Sequence, residues 1–175
     1  MNNTNHLRYP IGRFEAASNY APQLIFDLLN SFAELPGHIA GTALRLEAAG
    51  RLNETYRPGG WTALQLIHHL ADSHLNAYQR FKLTLTEDNP TLRPYDENAW
   101  AKLPDNRHGY FVSQNMLSAI HRRLTLTLSA LSLETWKRPC HHPSNEQVVN
   151  LASLLGQYEW HGRHHLGHLQ IILNK

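Results

Sequence analysis

A chain of 175 residues that is 42% hydrophobic and 17% charged has the length of one ordinary domain and the composition of a packed core, which excludes a disordered chain. Its formal charge is only +2, and its arginines are scattered, with Arg122-Arg123 the one adjacent pair, so no basic stripe points to nucleic acid. A single cysteine, Cys140, excludes a disulfide framework and every multi-cysteine zinc site. No window approaches the ~18–20 uninterrupted apolar residues of a membrane span. The start, Met1–Asn5, lacks the basic and then apolar run of a secretory signal, so a cytoplasmic protein is expected.

Residues 1–20 are polar and broken by Pro10 and Gly12, which predicts an arm lying over the body of a single domain spanning 1–175. From Pro22 to Gly50, Leu24, Leu28, Leu35, Ile39 and Leu46 recur at helical spacing, with Pro36-Gly37 expected to kink or split the helix. Pro58-Gly59-Gly60 marks a turn, and Thr62 is a suitable N-cap for a second helix running to about Thr86. The long connection Thr91–Tyr110 follows, a length more often functional than idle. A third helix is expected over roughly Phe111–Leu133, with Leu117, Ile120, Leu124, Leu128 and Leu131 on one stripe. A turn-rich stretch, Pro139–Asn145, leads to Asn150, the expected cap of a fourth helix reaching nearly to Lys175. No segment carries a strand period. The elements predict an all-α four-helix bundle, with room for a crossover in the long second-to-third connection.

The unusual feature is thirteen histidines, three within Ile67–His74 and four within His161–His168. On the fourth helix Leu151, Leu154, Tyr158, His161, His165, Leu169 and Ile172 trace one inward stripe. His161 and His165 therefore stand one above the other, a spacing that lets two imidazoles grip one metal ion. A lone histidine on an apolar face is ordinarily a satisfied core residue. Two together bring ring nitrogens that all need partners, and an unpaired buried polar group costs ~1–3 kcal/mol. A third ligand would come from the second helix, where periodicity does not choose among His68, His69 and His74. His164 and His168 form an adjacent pair better suited to the surface or to supporting the ligands. Three histidines leave an open position, the catalytic arrangement of zinc-type sites.

Known alternatives fail on sequence. Gly162 stands where a zincin has glutamate, no glutamate is followed three residues later by histidine as in di-iron bundles, and one cysteine cannot attach a c-type haem. The carboxylates placed to orient an imidazole or carry a proton are Asp72, Asp96 and Glu159, each better suited to a helix cap or a solvated charge. Cys140 beside His141-His142 lacks a third orienting group, so a Cys–His nucleophile is not expected.

Five segments in combination, Arg57-Pro58-Gly59-Gly60-Trp61-Thr62, His68-His69-Leu70-Ala71-Asp72-Ser73-His74, Arg80-Phe81-Lys82-Leu83, Arg93-Pro94-Tyr95-Asp96 and Trp160-His161 with His164-His165, resemble the YfiT branch of the DinB-like superfamily, as does Tyr9-Pro10-Ile11-Gly12. The resemblance covers almost the whole chain. It implies a DinB-like bundle with a crossover that binds one divalent ion, zinc or nickel, through His69, His161 and His165, and it alone selects His69. It also implies a cytoplasmic homodimer and a metal-dependent hydrolase in which the open three-histidine site activates water. An alternative is a bacillithiol-type thiol S-transferase, for which Arg57 and Arg93 would meet the anionic groups of the thiol; a bundle that binds metal or ligand without turnover is a further one. Gly162-Arg163 departs from the Ser-His type of pair found in the branch, a change expected to affect substrate access.

Overall fold

The computed structural model describes residues 5–141 and 148–175, so Met1–Thr4, His142 and part of the turn-rich stretch before Asn150 lie outside the described residues. In chain order it contains α1 (Asn5–Arg8), α2 (Pro22–Ala48), α3 (Ala63–Thr86), α4 (Glu97–Trp100), α5 (Phe111–Leu128), β1 (Pro139–His141), β2 (Val148–Asn150) and α6 (Leu151–Leu173). Single 3-10 turns occupy Pro104–Arg107 and Thr135–Lys137.

Local chemistry sets the helix starts. The Thr62 side chain accepts from the Gln65 backbone N–H while the Gln65 side chain accepts from the Thr62 N–H, a complete capping box. Asn150 Oδ1 accepts from Ser153 N at 2.9 Å and opens α6. At the other end of α6, Arg51 Nη1 donates to the carbonyl of Ile172 at 3.0 Å, a carbonyl of the last turn with no donor four residues on.

The four long helices form the bundle. α2 packs along α6 and α5, α3 packs along α5 and α6, and α2 meets α3 only sparsely. Around the bundle the order is therefore α2, α6, α3, α5. The crossings of the diagonal are the α2–α3 and α5–α6 connections; the long α3–α5 connection, where room for a crossover was expected, joins neighbours.

Four further expectations are corrected. Of the kink or split expected at Pro36-Gly37, the split does not occur, since α2 continues through Pro36 to Ala48. Proline has no N–H for the carbonyl four residues back, and that carbonyl, Phe32 O, accepts a hydrogen bond from His121 Nδ1 at 2.7 Å instead. In the first half of α2 the buried residues are Ile25, Leu29 and Phe32 rather than Leu24 and Leu28, which are partly covered. α5 stops at Leu128, leaving Leu133 exposed, because Ser132 Oγ accepts from Thr135 N and starts a separate turn. A short antiparallel pair, Cys140 opposite Val149, also stands where no strand period was legible.

The core is a single cluster of leucines, isoleucines and aromatics from all four long helices, with Phe32, Leu35, Ile67, Leu70, Phe81, Leu124 and Ile172 among its fully covered members. Each such side chain contributes about 1.5–3 kcal/mol relative to exposure. Glycine permits a close approach of α2 to α6. A Cβ at Gly162 would lie 2.6 Å from Leu35 Cδ1, so Gly162 faces α2, and neither it nor Arg163 lines the cleft described below. The arm packs against α6 in the same way, Pro10 lying over Gly167 and Tyr20 over Gly156.

Candidate metal centre

His69 of α3 and His161 and His165 of α6 converge. One ring nitrogen from each lies within 4.8 Å of the others, and the Nε2 atoms of His69 and His161 are 3.2 Å apart. His68 turns away to Ser113 Oγ at 2.7 Å and the His108 carbonyl at 3.1 Å, while His74 is enclosed in the core. Of the histidines periodicity left open on α3, His69 is the one at the cluster.

Burial sets the charge state. It pushes the His69 pKa down to about 4 and holds His161 and His165 well below the ordinary imidazole value, with neighbouring imidazoles adding repulsion to the latter two. All three are neutral at pH 7, the form in which imidazole ligates a metal.

The donor set fits a divalent ion. Ligand atoms ~2.0–2.1 Å from zinc at tetrahedral angles stand about 3.3 Å apart, close to the Nε2 separation of His69 and His161. The hydrogen bonds behind His165 agree. The Arg8 carbonyl can only accept, so His168 Nε2, at 3.2 Å, carries a proton and His168 Nδ1 accepts. His165 Nδ1, 3.3 Å from it, therefore donates, which leaves the lone pair of His165 on Nε2. An imidazole whose other nitrogen donates in this way is oriented and made more basic as a ligand. His164 and His168 are thus buried beside the cluster rather than on the surface, at 8% and 1% exposure.

The cluster opens into a cleft of about 600 Å³ between the Arg57–Trp61 loop, the Pro94–Asn98 segment and α6. Trp61 stands over it, its ring 4.6 Å from His69. Its polar wall includes Arg57 and Arg80, neither in an ion pair with a carboxylate among the described residues. Arg80 Nη1 donates to Tyr158 Oη at 2.7 Å, and Arg80 Nη2 to the Arg93 carbonyl at 2.8 Å. Because Tyr158 accepts from Arg80, its own O–H remains to donate.

The other residues singled out from sequence are dispersed. Asp96 caps α4 by accepting from Ala99 N at 2.9 Å. Glu159 is buried against α2, accepting from Ser31 Oγ at 2.5 Å and pairing with Arg163 at 3.4 Å. Asp72 is half-buried and does not line the cleft; desolvation first, and then Asp105, push its pKa up to about 6. Arg93 contributes its backbone but does not line the cleft. Cys140 is fully buried and its thiol pKa is raised by desolvation, consistent with an inert side chain. Sequence reasoning missed Arg80, whose signal was its spacing: His69, Ser73 and Arg80 follow at steps of four and seven on one helix face. It also missed His121, which lies on the Leu117–Leu124 stripe with nothing to mark its partner.

Among the described residues no helix is long and apolar enough to cross a membrane. The family model described as the DinB superfamily matches residues 19–169. A Bacillus pumilus protein, provisionally named a metal-dependent hydrolase, is 40% identical over 169 residues, covering 97% of this chain and 96% of that one. A Bacillus cereus protein with the same provisional name is 41% identical over 165 residues and 94% of each chain. Among solved structures, YfiT from Bacillus subtilis superposes with a TM-score of 0.91 at 36% identity over 95% of both chains. It is described as a probable metal-dependent hydrolase with an unusual four-helix bundle topology.

Proposed function

This chain belongs to the DinB superfamily and is YfiT-like, and we propose that it is a divalent-metal-dependent hydrolase in which His69, His161 and His165 hold one zinc or nickel ion. The observation that carries this reading is the convergence of three neutral imidazoles beside an open cleft. When bound, such an ion supplies Lewis-acid chemistry, polarising a carbonyl or phosphoryl oxygen and making water a better nucleophile near neutral pH.

The protein's own groups do the rest. Three protein ligands would leave such an ion a further position for substrate or water, and all three histidines line the cleft. Trp61 covers His69 and limits bulk solvent there. Arg80 holds the Tyr158 oxygen, so the phenol proton points its donor capacity at an oxygen in the cleft that gains negative charge. Arg57 and Arg80 bring positive charge without a carboxylate partner and suit an anionic substrate group.

That same pair of arginines favours a second reading, transfer of a low-molecular-weight thiol of the bacillithiol type, whose carboxylates they would bind. In either reading the protein works in the cytoplasm as a homodimer, the assembly to be checked by sedimentation. The test loads the chain with zinc or nickel and follows p-nitrophenyl ester and phosphoester hydrolysis beside thiol conjugation to an electrophile. Hydrolysis that disappears in His161→Ala, with circular dichroism unchanged, supports the first reading. Conjugation without hydrolysis, with a sulfur-to-cobalt charge-transfer band in cobalt-substituted protein, moves the assignment to the second. Neither activity in metal-loaded protein leaves a bundle that binds without turnover.

A further inference from the structure

Two buried histidines, His74 and His121, have no part in the cluster. They are 0% and 1% exposed and lie between α3 and α5 behind it. His121 Nδ1 is 2.7 Å from the Phe32 carbonyl, and His121 Nε2 is 2.7 Å from His74 Nδ1. The ring of Phe32 stacks on His121 at 3.9 Å and holds it flat.

The protons on this chain of groups follow from its end. A carbonyl accepts and never donates, so His121 Nδ1 carries a hydrogen. In a neutral ring His121 Nε2 then accepts, and His74 Nδ1 must supply the proton. His74 Nε2 is left with a bare lone pair. That atom is buried with no hydrogen-bond partner, and so is His161 Nδ1. The two rings are neighbours, 5.8 Å apart between centroids and tilted by 38°, and no other described group bonds either nitrogen. His161 presents Nε2 to His69, so a proton on His161 Nδ1 is the one arrangement that leaves its lone pair at the cluster. An orphaned acceptor and an orphaned donor therefore lie on neighbouring rings.

We propose that His121 and His74 are positioning residues that fix the tautomer of His161, passing a fixed direction of hydrogen bonding from the Phe32 carbonyl to the His161 ring. Proline is the origin of the device. Pro36 has no N–H for Phe32 O, so the carbonyl keeps its main acceptor direction for a side chain on another helix. The pair does for His161 what His168 and the Arg8 carbonyl do for His165. Its effect on affinity rests on the reading of His161 as a metal ligand; its effect on tautomer does not.

The test uses the full chain labelled with 15N, metal-free and zinc-loaded, with long-range proton–nitrogen spectra of the histidine rings. In metal-free protein His121, His74 and His161 are all expected as the Nδ1–H tautomer, the less common form of histidine in water. Zinc affinity, read by chelator competition, should weaken about 10–100-fold in His121→Phe. In that variant His74 and His161 should also lose their single tautomer. His121→Gln, whose amide donates to Phe32 O and accepts from His74, should restore most of both. An Nε2–H tautomer at His74 or His161 in the metal-free wild type overturns the proposal, as does His121→Phe with unchanged affinity and tautomers. If the wild type takes up no zinc, the hydrolase reading falls, and the metal-free tautomers still decide the relay. If His121→Phe fails to fold, the wild-type tautomers and the His121→Gln protein decide it.

Discussion

The Nε2 atoms of His69 and His161 meet at 3.2 Å although the two residues sit on different helices, and both rings are kept neutral by burial. Neutral lone pairs held this close gain a shared partner when an ion enters, and binding to the folded state alone stabilises it. Zinc or nickel at a hundredfold excess over Kd should add about 2.7 kcal/mol, raising Tm by roughly 5–10 °C for a chain of this size. Calorimetry with and without chelator checks this. An unchanged Tm at saturating metal would contradict it.

Acid should unfold the metal-free protein early. His69, His121, His164 and His168 have folded pKa values pushed down to about 4 by burial, against an ordinary value of 6.5. Between those values the unfolded chain binds more protons than the folded one, so stability is full above about pH 6.5 and is lost as pH falls toward 4. Denaturant titrations from pH 7.5 to 4.5 should show the midpoint dropping steeply. A midpoint that stays level across that range would show that these imidazoles are not neutral by burial.

Asp72 works in the opposite sense. Its folded pKa is raised to about 6 from 3.8, so its carboxylate opposes folding above pH 6 and ceases to do so below about pH 4. Asp72→Asn should therefore raise Tm at pH 8, with the gain shrinking as the pH is lowered through this window. A loss of Tm at pH 8 would mean that the charge has a partner that compensates its burial.

Much of this was legible because some signals are local. Thr62 and Asn150 cap their helices through side chains within three residues, and His161 and His165 share a stripe because i and i+4 always do. His69 was not legible from its period, since α3 buries His68, His69 and His74 on several faces and the helix opposite each one decides its role. The same holds for α2, where Ile25 and Leu29 or Leu24 and Leu28 make equally good stripes until α5 and α6 choose. The pairing of β1 and β2 covers three residues a side, too few for alternation to show. The order of helices around the bundle depends on which connections cross the diagonal, and loop length alone does not state that.

Gly162 sits where α2 and α6 meet at close range. A Cβ there would press Leu35 Cδ1 at 2.6 Å, so Gly162→Ala should cost about 1–3 kcal/mol through overpacking. Leu35→Val in the same chain should recover part of that loss, because the two positions share one contact. Additive losses measured by urea denaturation would place the strain elsewhere.

Tyr158→Phe removes the proton that the Arg80 contact leaves available to the cleft. The expected outcome is a kcat lower by about 10²–10³ with metal content and KM little changed, the signature of a donor used in the transition state. A variant with full kcat would remove Tyr158 from the chemistry and leave it a wall of the cleft.

The central claim, that His69, His161 and His165 hold one ion, is tested most directly by metal content per chain on untagged protein by elemental mass spectrometry, beside His69→Ala and His161→Ala. The account predicts about one zinc or nickel per wild-type chain and almost none in either variant, with the helical circular dichroism of all three proteins the same. Negligible metal in the wild type after soaking with zinc or nickel, or equal metal in the variants, would contradict it.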